Sequence, residues 1–349
     1  HQHNKHTRTQ THNNTQKTNP STFILVLLIS YAAVSAVLFT PALPEIMQAL
    51  GANHAGIQLT VAIFLLGYAF GQLIYGPLAN RFGRKNALYI GFSMALFGDI
   101  ISLVACLSGS LLFLVLGRFI TALGACSGYA LTCTIINEHY ELAQARKILA
   151  TAVLSFAIAP GVSIAIGGFL AVHFGWQSIF MVMTAYGALL LFLITKLPET
   201  AKYIDPKALQ VKKIIQQYSA VLRNQKFILY GLACTAWSAL LYLYYADAPF
   251  IAAHDFHFST EKYGAVSLIT AAGYFIGNLL SRKLATMTTA QKAIKVGLMT
   301  IALGLMVLSL MVFNIIYWQY LYFIAVAICF AGGAMVFSNA VALGLHQAS

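Results

Sequence analysis

The stretch G-P-L-A-N-R-F-G-R-K, Gly76 to Lys85, decides how this chain folds. Apolar runs flank it, Ile57–Ala79 before and Ala87–Leu107 after. Each run is long enough to cross a bilayer, which takes about 20 apolar residues. The connection is a few residues long and carries Arg81, Arg84 and Lys85, with Gly83 at its middle. Glycine tolerates positive φ and so suits a tight reversal. A short basic hairpin between two spanning helices is a cytoplasmic loop by the positive-inside rule.

Composition agrees. Only 9% of the residues are charged and 59% are hydrophobic, with mean hydropathy +0.76. A soluble domain carries roughly a quarter charged residues. The chain therefore reads as a polytopic helical membrane protein. Its net charge of +12 invites a nucleic-acid reading, but the placement of the charges argues against one. Of 21 Lys and Arg, only Arg118 lies inside a span and only Lys262 on an outer loop. The rest fall on the tail and loops assigned to the cytoplasm, which is a record of topology. The five cysteines, Cys106, Cys126, Cys133, Cys234 and Cys329, lie in or beside apolar runs with no C-x-x-C pair. They read as small apolar residues, and neither a metal nor a cofactor is expected. No signal peptide is visible, and the first span is expected to serve as its own insertion signal.

Ten spans follow in order. Residues 1–20, rich in His, Asn, Thr and Gln, read as a disordered cytoplasmic tail, whose histidines His1, His3, His6 and His12 read as solvated. Span 1 is Phe23–Thr40, ended by Pro41 and Pro44. Span 2 is Ile57–Ala79, span 3 Ala87–Leu107 and span 4 Leu111 to about Asn137. Glu138, Glu141, Arg146 and Lys147 mark a second cytoplasmic loop. Span 5 is Ile148–Val172 and span 6 Trp176–Thr195. Lys196–Lys226 reads as a cytoplasmic linker with an amphipathic stretch near Val211–Leu222. Span 7 is Phe227–Ala246 and span 8 Tyr263–Ser281; Asn314 and Trp318-Gln319 separate spans 9 and 10. The expected units are thus the tail 1–20, a six-helix bundle 21–198, a linker 199–225 and a four-helix bundle 226–349.

A weak internal repeat underlies that division. A shift of 206 positions lays Gly67–Gly91 over Gly273–Gly297 with eight identities, including Gly67/Gly273, Gly71/Gly277 and Gly91/Gly297. Parallel repeats of this kind build transporters from two halves related by an axis along the membrane normal. The same shift predicts partners for spans 5 and 6 beyond residue 349, so ten spans stand where the duplication calls for twelve.

The decapeptide resembles the signature loop between helices 2 and 3 of the major facilitator superfamily. Further segments resemble its Bcr/CflA-type drug/proton antiporter branch. These are P-A-L-P at Pro41–Pro44, G-Q-L-I-Y-G-P-L at Gly71–Leu78, L-G-R-F at Leu116–Phe119, Ala159-Pro160 with Gly167-Gly168, and L-P-E-T at Leu197–Thr200. The resemblance covers about residues 23–300. It implies an all-α major-facilitator fold in which spans 1, 4, 7 and 10 line a central cavity and span 3 lies outside. Three positions depart from the branch: Val37 and Asn80 stand where it has Asp, and Thr121 where it has Gln.

Intramembrane charges are costly, about 2.5–3.5 kcal/mol on insertion scales, so each is a functional candidate. Arg118 matches the basic residue of span 4 that the resemblance links to proton handling. Asp99 in span 3, Glu138 at the inner end of span 4 and Asp247 at the end of span 7 are the acids considered with it. Asp99 is expected to pack against another helix in protonated form, Asp247 to sit near the outer face, and Glu138 to pair with Arg146 or the hairpin basics. Tyr31, Thr121, Trp237, Tyr242 and Tyr245 are candidate substrate contacts, since aromatic faces attract lipophilic cations. Gly76, Asn80, Arg81, Gly83, Arg84 and Lys85 form the conformational loop. Pro160, Gly161, Gly167 and Gly168 form the antiporter helix that the resemblance implies.

These residues point to proton-coupled multidrug efflux by alternating access. The expected setting is the bacterial inner membrane, with both termini cytoplasmic and the chain a monomer that meets only small solutes, protons and lipid. Two other readings stand beside it, an importer or facilitator of another solute and a truncated, transport-inactive product. A membrane enzyme is the weakest rival, for there is no Ser/His/Asp arrangement, metal-ligand cluster or phosphate loop.

Overall fold

The computed structural model describes residues 20–348; the tail histidines and the side chain of Arg146 lie outside what it describes. The described residues form helices joined by loops and a longer non-helical linker between Ile194 and Val211, without a strand. Ten of the helices are long and apolar enough to cross a membrane. They are α1 (Thr22–Val37) continued by the short α2 (Leu43–Ala49), α3 (His54–Phe82), α4 (Arg84–Ser108), α5 (Leu111–His139), α6 (Leu142–Phe174), α7 (Gln177–Ile194), α9 (Gln225–His254), α10 (Thr260–Met287), α11 (Ala290–Val312) and α12 (Gln319–Ala348). Between α7 and α9 lies the linker helix α8 (Val211–Leu222).

Helix ends follow local chemistry. A single residue, Gly83 at φ +91°, separates α3 from α4. Asn53, Ser110, Ser259 and Thr289 cap their helices by accepting from backbone N–H groups. The first span breaks at Val37 because Pro41 has no N–H to offer the Val37 carbonyl, and the Thr40 hydroxyl donates to it instead at 2.8 Å. The chain does not leave the membrane there: Pro41 and Pro44 open the next short helices, where a missing N–H costs nothing.

Three boundaries differ from the sequence reading. Glu138 belongs to α5, and α6 starts at Leu142, so the second basic loop shrinks to Tyr140-Glu141. Span 7 continues through Asp247 and Pro249 to His254, which puts Asp247 inside a helix rather than at a span end. Polar residues at a helix end do not stop a helix once neighbouring elements satisfy them, and composition alone cannot show this.

Packing falls into two sets. In the first half α5 packs on α3 and α4, α1 on α5 and α6, and α4 on α7; in the second, α12 packs on α9, α10 and α11. Helices α6 and α10 form the main seam between the sets. The repeated glycines pack alike. A Cβ at Gly67, Gly71 or Gly98 would meet the carbonyls of Phe119, Leu123 and Gly117, at 2.6–2.7 Å. Their counterparts Gly273, Gly277 and Gly304 face the carbonyls of Ala327, Ala331 and Ala325, at 2.2–2.8 Å, each 208 positions further on. Small residues let helices approach this closely, so the duplicated pattern is a duplicated packing surface.

Candidate functional site

The largest fully buried side chain is Arg118, on α5. It donates to the carbonyls of Ser35 at 2.7 Å and Ala36 at 3.2 Å, with Thr60 at 3.5 Å. Ser35 and Ala36 are in the last turn of α1, whose carbonyls are left over once the helix breaks ahead of Pro41. A cation there meets both unpaired acceptors and the negative end of the helix dipole. The rings of Phe39 and Phe64 cover its two sides, 4.2 and 4.4 Å from the guanidinium carbon.

One turn along α5, Thr121 opens a second polar cluster. Its hydroxyl donates to Asp99 Oδ1 at 3.0 Å, and the Tyr31 hydroxyl donates to Asp99 Oδ2 at 2.5 Å. All three are buried, so Asp99 faces into the bundle although its helix lies at the edge of the first set. Both carboxylate oxygens accept, as an ionised carboxylate can. Thr121 has a second acceptor in reach, the Ala95 carbonyl at 3.4 Å. A proton arriving on Asp99 therefore displaces one donor, and the displaced Thr121 hydroxyl has somewhere to go. Tyr31 is fixed further by Phe92 and Tyr186, with ring centroids 5.2 and 5.3 Å away. Tyr31 and Thr121 thus join Asp99 and not the aromatic group of α9.

That aromatic group surrounds a small cavity between the halves, lined by Pro160 and Gly161 of α6, Leu241 and Tyr245 of α9, Thr270 and Tyr274 of α10, and Phe330 of α12. Tyr242 packs edge-on against Tyr245 at 5.9 Å. Trp237 stands apart, edge-on to Phe330 at 5.7 Å and pressed against Gly333. Among the residues lining the cavity there is no acid.

At the hairpin end, Arg84 grips Glu138 with Nη2 at 2.6 Å and Nε at 3.1 Å, a bidentate pair, and Thr200 donates to the same carboxylate at 3.1 Å. Arg84 also reaches the Ala79 carbonyl at 2.8 Å and Asn80 at 3.1 Å. Lys85 donates to the Thr195 carbonyl at the end of α7 at 2.9 Å. Arg81 lies over its neighbour Phe82, and a Cβ at Gly76 would meet nothing within 4 Å. The acid that serves the hairpin is Glu199, which sequence reasoning missed. It accepts from the backbone N–H of Arg84 at 3.0 Å and of Lys85 at 3.1 Å, the first amides of α4. Its place in L-P-E-T was visible; its partners, more than 110 residues earlier, were not. Glu199→Ala is expected to cost about 1 kcal/mol, as loss of a helix cap does. The readouts are a lower thermal midpoint and faster protease cutting at the hairpin; wild-type values in both refute the assignment.

At the far end the two halves are tied by polar contacts. Gln58 donates to Asp247, Thr260 donates to Glu45 at 2.7 Å, and His173 lies 3.3 Å from Glu261. Gln58, too, carried no signal in the sequence. Between the ends, a Cβ at Gly161, Gly167 or Gly168 would meet Ala271, the Leu38 carbonyl and the Thr260 carbonyl at 2.0, 1.9 and 2.7 Å. Gly161 and Gly168 are where α6 touches α10, and Gly167 is where it touches the end of α1.

The Major Facilitator Superfamily profile matches residues 23–349. The chain belongs to the Major Facilitator Superfamily. A bicyclomycin resistance protein homolog of Haemophilus influenzae is 24% identical over 338 residues, covering 94% of this chain and 82% of that protein. The multidrug transporter MdfA of Yersinia pestis is 28% identical over 284 residues, 81% and 68% of the two chains. An uncharacterized transporter of Rickettsia bellii is 27% identical over 259 residues, covering 74% of this chain but only 63% of that protein's length. Among solved structures, the partially occluded inward-open xylose transporter XylE of E. coli superposes with TM-score 0.74 at 15% identity, over 93% of this chain and 83% of that one. As a major facilitator chain with ten membrane-length helices, this is a multi-pass membrane protein of a transporter family and not an enzyme.

Proposed function

We propose that this major facilitator protein is a secondary active transporter that exports small lipophilic or cationic compounds against protons by alternating access. One observation carries the reading: a buried acid, Asp99, held by Tyr31 and Thr121 one helical turn from the buried Arg118. An ionisable pair is expensive inside a membrane, and proton transfer is the chemistry that calls for one. In this reading Asp99 takes and releases the proton, and Arg118 carries the change to the end of α1. Tyr245 meets the substrate, with Tyr242 and Trp237 backing the aromatic lining through Tyr245 and Phe330, and the halves 21–198 and 226–349 rock where Gly161 and Gly168 of α6 meet α10. Arg84–Glu138 stiffens the hairpin within the first half, and Gln58–Asp247, which joins the halves at the far end, parts when that side opens. The relatives named as drug transporters support the substrate class; the excess of Lys and Arg at the hairpin end supports an inner-membrane orientation with cytoplasmic termini. Monomeric function accords with a cavity formed within one chain.

The absence of an acid from the cavity lining favours a second substrate class, uncharged aromatic solutes. Proteoliposomes decide. With a pH gradient imposed, the wild-type protein is expected to drive a cationic dye outward faster than without one. Asp99→Asn keeps the shape and loses the titration, so its dye movement is expected to ignore the gradient. An Asp99→Asn protein that still responds fully sinks the proton role; a gradient-independent wild type that moves only neutral solutes sinks the antiporter.

A further inference from the structure

The linker helix α8 has no part in the transport reading, yet it is the most sharply two-faced helix in the chain. Val211, Ile214, Ile215, Tyr218, Val221 and Leu222 share one side, at helical spacing. Part of that side leans on the protein. The rest is open: Val211, Ile215 and Leu222 are 69, 60 and 60% exposed.

Three contacts fix where the helix sits. Pro77 has no N–H, so the Leu73 carbonyl one turn before it in α3 lacks its helical partner. The Tyr218 hydroxyl donates to that carbonyl at 2.9 Å. The Asp205 N–H donates to the Asn80 carbonyl beside the hairpin at 2.9 Å. Lys213 then pairs with Asp205, holding its carboxyl below the usual range and the start of α8 in place. Only Arg223 and Asn224 separate α8 from α9, which enters the membrane. The helix therefore lies where the spans of the hairpin end meet water, beside the exposed apolar residues Phe70, Leu73 and Ile74 of α3. Lys212 of α8 and Arg223, which caps its end, are both exposed.

We propose that α8 is an interfacial anchor that lies on the hairpin-side leaflet, its open apolar side in the acyl boundary and Lys212 and Arg223 on anionic lipid headgroups. An exposed apolar strip with cations beside it, held at the level of the membrane boundary, is matched by an anionic lipid surface. A soluble partner has no reason to find the strip at that height. Tyr218 and Asp205 connect the anchor to α3 and the hairpin, so headgroup charge reaches the part of the protein that moves.

Hydrogen exchange of the whole protein in nanodiscs tests this without any transport assay, so its outcome is separate from that of the transport proposal. The discs are phosphatidylcholine alone, or phosphatidylcholine with phosphatidylglycerol. Amides of 212–222 are expected to exchange about tenfold more slowly with phosphatidylglycerol, while those of α4 stay the same. Lys212→Gln with Arg223→Gln is expected to remove the difference. Ile215→Gln with Leu222→Gln is expected to speed exchange in both discs. Equal exchange of the wild type in the two lipids overturns the proposal, as does a phosphatidylglycerol effect that survives loss of both cations.

Discussion

Arg118→Ala is expected to leave little folded protein in the membrane and no transport. The substitution orphans the Ser35 and Ala36 carbonyls, which Arg118 now meets at 2.7 and 3.2 Å. Each buried group left without a partner costs about 1–3 kcal/mol. It also opens a void between Phe39 and Phe64, and removing large buried side chains costs about 2–5 kcal/mol. The expected readout is a thermal midpoint on the order of 10 °C lower for any protein recovered. Arg118→Lys separates structure from function. Lysine keeps the charge and enough donors for two carbonyls but has no planar group to stack between two rings, so partial stability with lost proton coupling is expected. An Arg118→Ala protein as stable as wild type would mean that the last turn of α1 finds other donors, and the account of the break at Val37 would fall.

The second large effect is expected at Gly167. A Cβ there would lie 1.9 Å from the Leu38 carbonyl, which is backbone and has no rotamer to change. Gly167→Ala must push α6 away from the end of α1, and overpacking of this kind costs about 1–3 kcal/mol. The displacement falls next to the carbonyls that hold Arg118, so the loss extends to coupling. Gly76→Ala is the matched control. Nothing lies within 4 Å of its Cβ, and alanine is the better helix former, so no loss is expected. Thermal midpoints and membrane yields of the two variants side by side check this. Equal behaviour would show that α6 and α1 adjust freely and that the close approach is not what holds them. The contrast also corrects an impression that the signature loop leaves: of its two glycines, only Gly83 is required by the backbone, at φ +91°.

The chain's own residues made the membrane-spanning architecture legible, including the hairpin turn at Gly83, the linker helix over Val211–Leu222 and the duplicated glycines. Such features depend on the exchange of each segment between water and lipid, and on turn chemistry, both of which act within a few residues. Helix ends were less legible where polar residues continue a helix, as Glu138 does in α5 and Asp247 in α9. The individual candidates were visible by type, since a charge in an apolar run stands out. What each one touches was not. Asp99 meets Tyr31 across 68 positions, Gln58 meets Asp247 across 189, and Glu199 caps a helix that begins 115 residues earlier. Sequence alone determined that this protein crosses a membrane repeatedly, which end of the bundle carries the positive charge, and which few groups are costly enough to matter. Tertiary structure decided that Asp99 faces inward, that Arg118 closes the broken end of α1, and that the cavity lining takes Tyr245, Tyr274 and Phe330 but no acid. The reason is that burial energy selects segments, whereas the direction of a side chain is set by partners brought close only when distant helices pack.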